Sequence, residues 1–316
     1  MTGSCIIDGV DIGQWGIFIL RGGDFDFLSF PERKTPDYIS WQEHDGWDVD
    51  LSEVYFKEKK LTVQFYLRAD SGDNFRLRLE SFYALLTSPG YRSLYSREFD
   101  RTFSLRFLSC PTYQHKGGMY KAGTKESRIS VEFSMDNPLQ LFQGTNKVPT
   151  GGVSTNSYVL IGDRDLREYG IIVREIYNTA MKIPALKTPL SRSVSNINGL
   201  VVYPSLKPTL EAKQITIECT MIADNKDVFY HNYEALFNMM REQGSLEVSI
   251  FGENIICFYS KMENFQKLHS LGFGVLVSFN LVLTSIEEMS NSVYILGTED
   301  NQFAIATEDN QYLIRV

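Results

Sequence analysis

The sequence predicts a mainly β protein built from two tandem copies of one unit, each with a single helix packed on a sheet. Three observations predict it. The stretches LRADSGDNFRLRLESFYALL from Leu67 and MIADNKDVFYHNYEALFNMM from Met221 run in register 154 residues apart, so that Asp73 meets Asp227, Phe75 meets Phe229 and Glu80 meets Glu234. The same spacing relates IDGVDIGQWGIFI from Ile7 to IGDRDLREYGIIV from Ile161. Runs that alternate apolar and polar residues precede both helix-like stretches with the same parity. A constant spacing carrying strand and helix patterns in step marks a duplicated unit.

The elements follow in order. In LTVQFYLR, Leu61, Val63, Phe65 and Leu67 share one face, the period of a half-buried strand. Ile215, Ile217, Cys219 and Met221 repeat it, and a slip of one residue would turn every side chain to the wrong face. A turn and a helix come next, with Asp73 and Asp227 as the expected caps. Phe75, Leu79, Phe82 and Leu86 form an apolar stripe at helical spacing, matched by Phe229, Tyr233, Leu236 and Met240. Gly90 and Gly244 stand where a helix commonly ends. Further strands return in TFSLRFLS and RISVEFSM, then in LEVSIFG, NIICFYS and VLVSFNLVL. Closure of each unit into a barrel or sandwich protects its strand edges. Copy one is expected over residues 1–141 and copy two over 158–290, joined by a Gly-, Ser-, Thr- and Asn-rich linker over 142–157. Residues 291–316 hold TEDNQFAIA and TEDNQYLIR, a nine-residue repeat expected to form a short β extension. The Asp and Asn residues there lack the spacing of a calcium loop.

Composition sets limits on function. With 43% hydrophobic and 22% charged residues the chain is globular, and 316 residues suffice for two cores without metals or staples. A net charge of −8 does not suit a protein that grips nucleic acid by its phosphates, although it suits a surface that DNA passes without sticking. Cys5, Cys110, Cys219 and Cys257 are scattered, with no metal or disulfide pattern. The first residues lack the basic start and apolar run of a signal peptide, and no stretch reaches the length of a membrane span.

Catalytic signals are sparse. His44, His115, His231 and His269 fall in no metalloprotease or zinc pattern, and no nucleophile elbow, phosphate loop or dinucleotide fingerprint occurs. Asp24 with Asp26, or Asp48 with Asp50, could share a strand face as a glycosidase pair does, but nothing else builds a site around them. No catalytic residue, cofactor or metal is therefore assigned. Trp41 and Trp47 in WQEHDGW are either core or interface anchors or an aromatic platform for a sugar. The two copies differ most in PTYQHKGGMYKAGTKES, from Pro111 to Ser127, a Gly-rich stretch with Lys116, Lys121 and Lys125. It is expected to be either a contact arm, mobile alone and ordered on assembly, or a merely tolerated insertion.

The motifs together resemble the tail-tube-like domains of tailed bacteriophages, especially the distal tail protein and baseplate hub families. The resemblance rests on IDGVDIGQWGI, on HDGWDVDL leading into an alternating strand, on the strand–helix unit after RAD, and on VEFSMDNP from Val131. INGLVV from Ile197 stands within a residue of the register of HDGWDV. The resemblance implies a non-enzymatic ring component at the virion tail tip, made in the bacterial cytoplasm. Its partners would be the tail tube, tail-tip and receptor-binding proteins, with DNA only passing through the lumen. Rings of that family are sixfold: six chains could supply one copy each, or three chains two copies each, and the divergent loop favours the hexamer over the trimer. Two tube-like copies, rather than one with a different outer domain, and the nine-residue repeat depart from the usual pattern. The alternative is a carbohydrate-binding module using Trp41 and Trp47.

Overall fold

A computed structural model describes residues 3–116, 123–145, 148–154, 159–189, 191–202, 208–250, 252–269 and 274–286. The expected C-terminal extension, 291–316, lies outside the described residues. In the first half the elements are β1 (Cys5–Ile7), β2 (Val10–Asp11), β3 (Ile17–Ile19), β4 (Tyr38–Ile39), β5 (Asp48–Val49), β6 (Lys59–Ala69), α1 (Gly72–Thr87), β7 (Arg92–Ser96), β8 (Arg101–Lys116) and β9 (Lys125–Met135). In the second they are β10 (Val159–Ile161), β11 (Arg164–Asp165), β12 (Ile171–Glu175), α2 (Tyr177–Ala180), β13 (Ser191–Arg192), β14 (Val201–Val202), β15 (Gln214–Ala223), α3 (Lys226–Met240), β16 (Leu246–Ile250), β17 (Glu253–His269) and β18 (Val275–Ser285).

The two halves carry sheets of one topology. Strand order is β2-β1-β7-β8-β9-β6-β3 in the first and β11-β10-β16-β17-β18-β15-β12 in the second, each of seven antiparallel strands. Each half also projects a two-stranded hairpin arm, β4–β5 and β13–β14. The protein is therefore mainly β, with one long helix per half. The spacing between equivalent residues is not constant. It is 154 from Leu61 to Ile215 but 150 for their partners Phe133 and Leu283, because two hairpin loops are shorter in the second half. It is 153 through the arms, where Tyr38 pairs with Val49 and Ser191 with Val202.

Neither sheet forms a complete barrel ladder. In the first, the terminal strands are β2 and β3, and among the described residues the two ends of the sheet meet where Ile19 N–H donates to Gly3 O at 2.8 Å. The core faces follow the alternation: Leu61, Val63, Phe65 and Leu67 are buried, as are Ile215, Ile217, Cys219 and Met221. Each helix lays its stripe on its own sheet, with Phe82 and Leu86 fully buried in α1 and Phe229 and Leu236 in α3. The caps are not the aspartates. Ser71 accepts from Asn74 N–H, and Asn225 from Val228 N–H, while Asp73 and Asp227 sit in the first turn, near the positive helix end. Gly16 and Gly170 explain a shared glycine: both have positive φ, and a Cβ on either would stand 2.4 Å from a carbonyl oxygen, of Arg68 or Ile222.

A buried lysine recurs at matched positions. Lys59 Nζ donates to Phe27 O at 3.0 Å and Ser29 O at 2.5 Å, and Lys213 Nζ donates to Ala180 O and Lys182 O. Each ammonium closes a turn whose carbonyls would otherwise be buried without donors. Burial draws the Lys59 amine from its ordinary 10.5 down to about 7, with Asp26 opposing the shift.

Within the segment expected as a linker, the described residues 142–145 and 148–154 lie as a strap on α3. Arg241 Nη1 donates to Phe142 O at 2.9 Å and Asn238 Nδ2 to Gly144 O at 3.1 Å. Asn232 exchanges bonds with Thr150, accepting from its N–H at 2.8 Å and donating to its carbonyl at 2.6 Å. Phe142 is buried, and an aromatic cluster joins the halves: Phe30 lies 4.5 Å from Tyr233 and 4.9 Å from Phe237, centroid to centroid, and Phe142 lies 4.3 Å from Phe237. Composition suggests flexibility, but the polar backbone of this segment is bound by side chains of α3.

Phe82→Ala should destabilise the protein by about 3–5 kcal/mol, since the ring is fully buried against Phe65; a denaturant titration measures it. Lys59→Met should cost about 2–4 kcal/mol by leaving two buried carbonyls without donors. Folded Lys59 binds fewer protons than unfolded lysine between pH 7 and 10.5, so stability rises with pH across that window. The gap between the native protein and Lys59→Met should therefore widen from pH 7 to 10 and level off below 7, where the lysine is protonated in both states.

Candidate assembly interface

A dense set of polar contacts lies where the first arm meets the second half. The arm is a hairpin with Gly46 at its tip in a left-handed conformation, φ 70°. A hairpin tip taken out of water must find partners for its carbonyls. Lys187, itself buried, supplies them: its Nζ donates to Trp41 O and His44 O at 2.8 Å and to Gly46 O at 2.7 Å. Leu210 adds both of its backbone groups, accepting from Gly46 N–H at 2.9 Å and donating to Asp45 Oδ1 at 2.6 Å. Thr209 Oγ1 donates to Gln42 O at 3.0 Å. Trp47 N–H donates to Ile286 O at 3.3 Å, and its indole N–H to Glu211 Oε2 at 3.2 Å.

The base of the arm is held as firmly. Arg33 N–H donates to Ser260 O at 2.8 Å and Tyr259 Oη to Pro31 O at 3.0 Å. The Arg33 guanidinium lies 5.3 Å over the Phe258 ring and is drawn below its ordinary range by burial. Tyr233 Oη donates to Leu28 O at 2.7 Å. A second contact joins the hairpin loops. Lys267 Nζ pairs with Glu98 beside a cleft of about 200 Å³ that Asp24 also lines. Desolvation raises the Asp24 carboxyl to about 6 against the opposing pull of Lys267. The Arg101 guanidinium stacks 4.4 Å over Tyr230, whose hydroxyl donates to Phe99 O at 2.6 Å.

The residues singled out in the sequence fall in different places. Pro111–Lys116 is strand, because β8 continues to pair with β9 from Thr112↔Ser130 to Lys116↔Glu126. The polar side chains there lie on a ladder held by backbone bonds, and the His115 ring packs 5.0 Å from Phe75. Of the stretch expected as a mobile arm, residues 117–122 lie outside the described residues. Lys116 is exposed, Lys125 is buried in β9 opposite Ala69, and Lys121 lies outside the described residues. Lys125 sits in the ladder and is no part of a solvated contact loop. Trp47 is stacked 4.1 Å from Tyr38, while Trp41 is half exposed. Asp24 is buried and Asp48 and Asp50 are exposed on the arm. Among the described residues no three His, Cys, Asp or Glu side chains are placed to hold a metal ion.

Sequence reasoning missed Lys187 and the docked tip. The available signal was the recurrence of a Gly-tipped turn, Asp45-Gly46 and Asn198-Gly199, with a lysine upstream in each half. Lys187→Met should leave three tip carbonyls without a donor. The expected result is a loss of about 2–4 kcal/mol and faster amide exchange across residues 38–50, read by hydrogen-exchange mass spectrometry, with exchange in β6 little changed.

No protein-family model and no curated protein matches the sequence. Among solved structures, the chain is similar to the Dit protein of phage SPP1, described as a paradigm of the hub adsorption apparatus in phages infecting Gram-positive bacteria. That superposition has a TM-score of 0.33 at 11% identity, covering 90% of this chain and 98% of the other.

Proposed function

We propose that the chain is a structural ring component of a bacteriophage tail tip, a distal-tail or baseplate-hub protein that joins the tail tube to the host-recognition apparatus. One observation carries this reading: one unit of the chain grips the next through a hairpin arm, and the gripped unit bears an arm of the same kind. Such a building block extends from unit to unit. The motif resemblance to tail-tube-like domains names the machine in which such units form rings. The net charge of −8 suits a wall past which DNA moves without binding. No described helix is long and apolar enough to cross a membrane. The chain performs no catalysis in this reading and takes no cofactor.

The sugar-binding alternative has less support. Trp47 has its ring against Tyr38 and its indole N–H on Glu211, and among the described residues no second aromatic ring pairs with Trp41 to form a platform.

Antibodies raised against the chain should label purified virions at the end of the tail in negative-stain electron microscopy. Virions carrying no label there, with the chain confined to the lysate, would overturn the assignment.

A further inference from the structure

We propose that the second arm, residues 183–202, docks onto the first half of a second copy of this chain, repeating between chains the contact that the first arm makes within one. The inference rests on the ring reading and supplies its contact surface.

The two arms are built alike from the base. Lys34 N–H donates to Tyr55 O and Lys187 N–H to Thr209 O, both at 2.8 Å. Lys57 N–H donates to Glu32 O at 2.9 Å, and Glu211 N–H to Ala185 O at 2.8 Å. Both tips turn on a glycine with positive φ, Gly46 and Gly199. They differ in surroundings. The first tip is held by Lys187, Leu210, Thr209 and Ile286. Beyond Lys187, the described residues of the second arm bond only among themselves, as in Ile197 N–H to Val194 O at 3.1 Å. That arm exposes Ile197 by 52%, Leu200 by 56% and Val201 by 46%. Such a run of apolar side chains on a two-stranded hairpin is unstable in water without a cover.

The first half presents the matching socket. Leu210, which binds the first tip, pairs with Leu186 through an antiparallel bridge, and Phe56 pairs with Arg33 in the same way. The ladder bonds on either side of each bridge leave the N–H and C=O of Leu210 and Phe56 directed outward. On Leu210 they are taken by Asp45 and Gly46. On Phe56 no bond to them is made by any described residue. Lys34 stands where Lys187 stands and is exposed, and Tyr55, in place of Thr209, is 60% exposed.

The second tip carries the chemistry the socket needs. Asn198 occupies the place of Asp45, and its amide oxygen accepts from Phe56 N–H as the carboxylate accepts from Leu210. Gly199 N–H donates to Phe56 O. The carbonyls of Val194, Ile197 and Gly199 take the Lys34 ammonium. Leu200 replaces Trp47, and Lys57 replaces the glutamate that bound the indole, so a polar contact becomes an apolar one along the lysine stem. The contact is heterologous: each chain gives one arm and receives one. It therefore grows into a closed ring or an open filament, with twice as many units as chains. Both halves then lie side by side in one ring, as in the three-chain arrangement.

The test uses the full chain with Leu200→Asp in the arm and, separately, Lys34→Glu in the socket. Both sites are exposed, so unchanged melting temperature and circular dichroism serve as the folding check. The native chain should form oligomers by light scattering. Each variant should raise the dissociation constant at least about tenfold, the loss of a central anchor. Mixed together, the two variants should form a dimer and nothing larger, since the mixture retains one intact arm and one intact socket. Chains with Ser195→Cys or Tyr55→Cys as the one accessible cysteine, in a Cys110→Ser background that keeps the buried Cys5, Cys219 and Cys257, should cross-link to each other. Native oligomers that survive both substitutions without such a cross-link would overturn the docking and leave the ring reading standing. A native chain monomeric at its highest soluble concentration would overturn both.

Discussion

The burial of one hairpin tip constrains most of the molecule. Three carbonyls on the first arm face away from water, and a single ammonium, that of Lys187, satisfies all of them. Buried carbonyls without donors would cost several kilocalories per mole together. The position of Lys187 is fixed in turn by the bridge at the base of the second arm. With the tip seated, Pro31 and Arg33 reach β17, and Phe30 enters the aromatic cluster around α3. The relation between the two halves is thereby set by backbone groups and rings, with the strap over α3 adding to it.

Duplication preserved backbone geometry more faithfully than surface chemistry. The buried lysines at 59 and 213, the close approach at Gly16 and Gly170, and the base bonds of the arms recur almost unchanged. Each is a position where a backbone polar group or a steric limit leaves little choice. The exposed positions have diverged. Asp45 and Trp47 face Asn198 and Leu200 in the alignment of the arms, and the helix surface of α3 has become interior.

Much of the fold was legible in the sequence because it rests on local periodicity. The parity of Leu61–Leu67 and Ile215–Met221 and the stripes of the helices are set by which face is buried. The caps were misplaced by two residues because Ser71, Asp73, Asn225 and Asp227 are all competent cap residues, and only the point where the backbone turns selects among them. Pro111–Lys116 read as loop because its side chains are polar, although a ladder needs only backbone groups. The strap formed by 142–145 and 148–154 read as linker by composition, while its first anchors are side chains nearly a hundred residues away. The interface residues were the least legible. Lys187 is marked in sequence only by its place before the Asn198-Gly199 turn, and its role exists only once an arm 141 residues upstream is brought to it.

The aromatic cluster also shapes how the chain is made. Phe30 leaves the ribosome 203 residues ahead of Tyr233, against which its ring packs. Until α3 is synthesised, the first half has its own sheet core but carries an uncovered phenylalanine and an unseated arm. During that interval the nascent chain offers neighbouring polypeptides an adhesive patch, and crowded polysomes bring such patches together. Arrival of the second half quenches the patch from within the same chain. Translation thus favours self-contained closure of the first contact before any encounter between finished molecules.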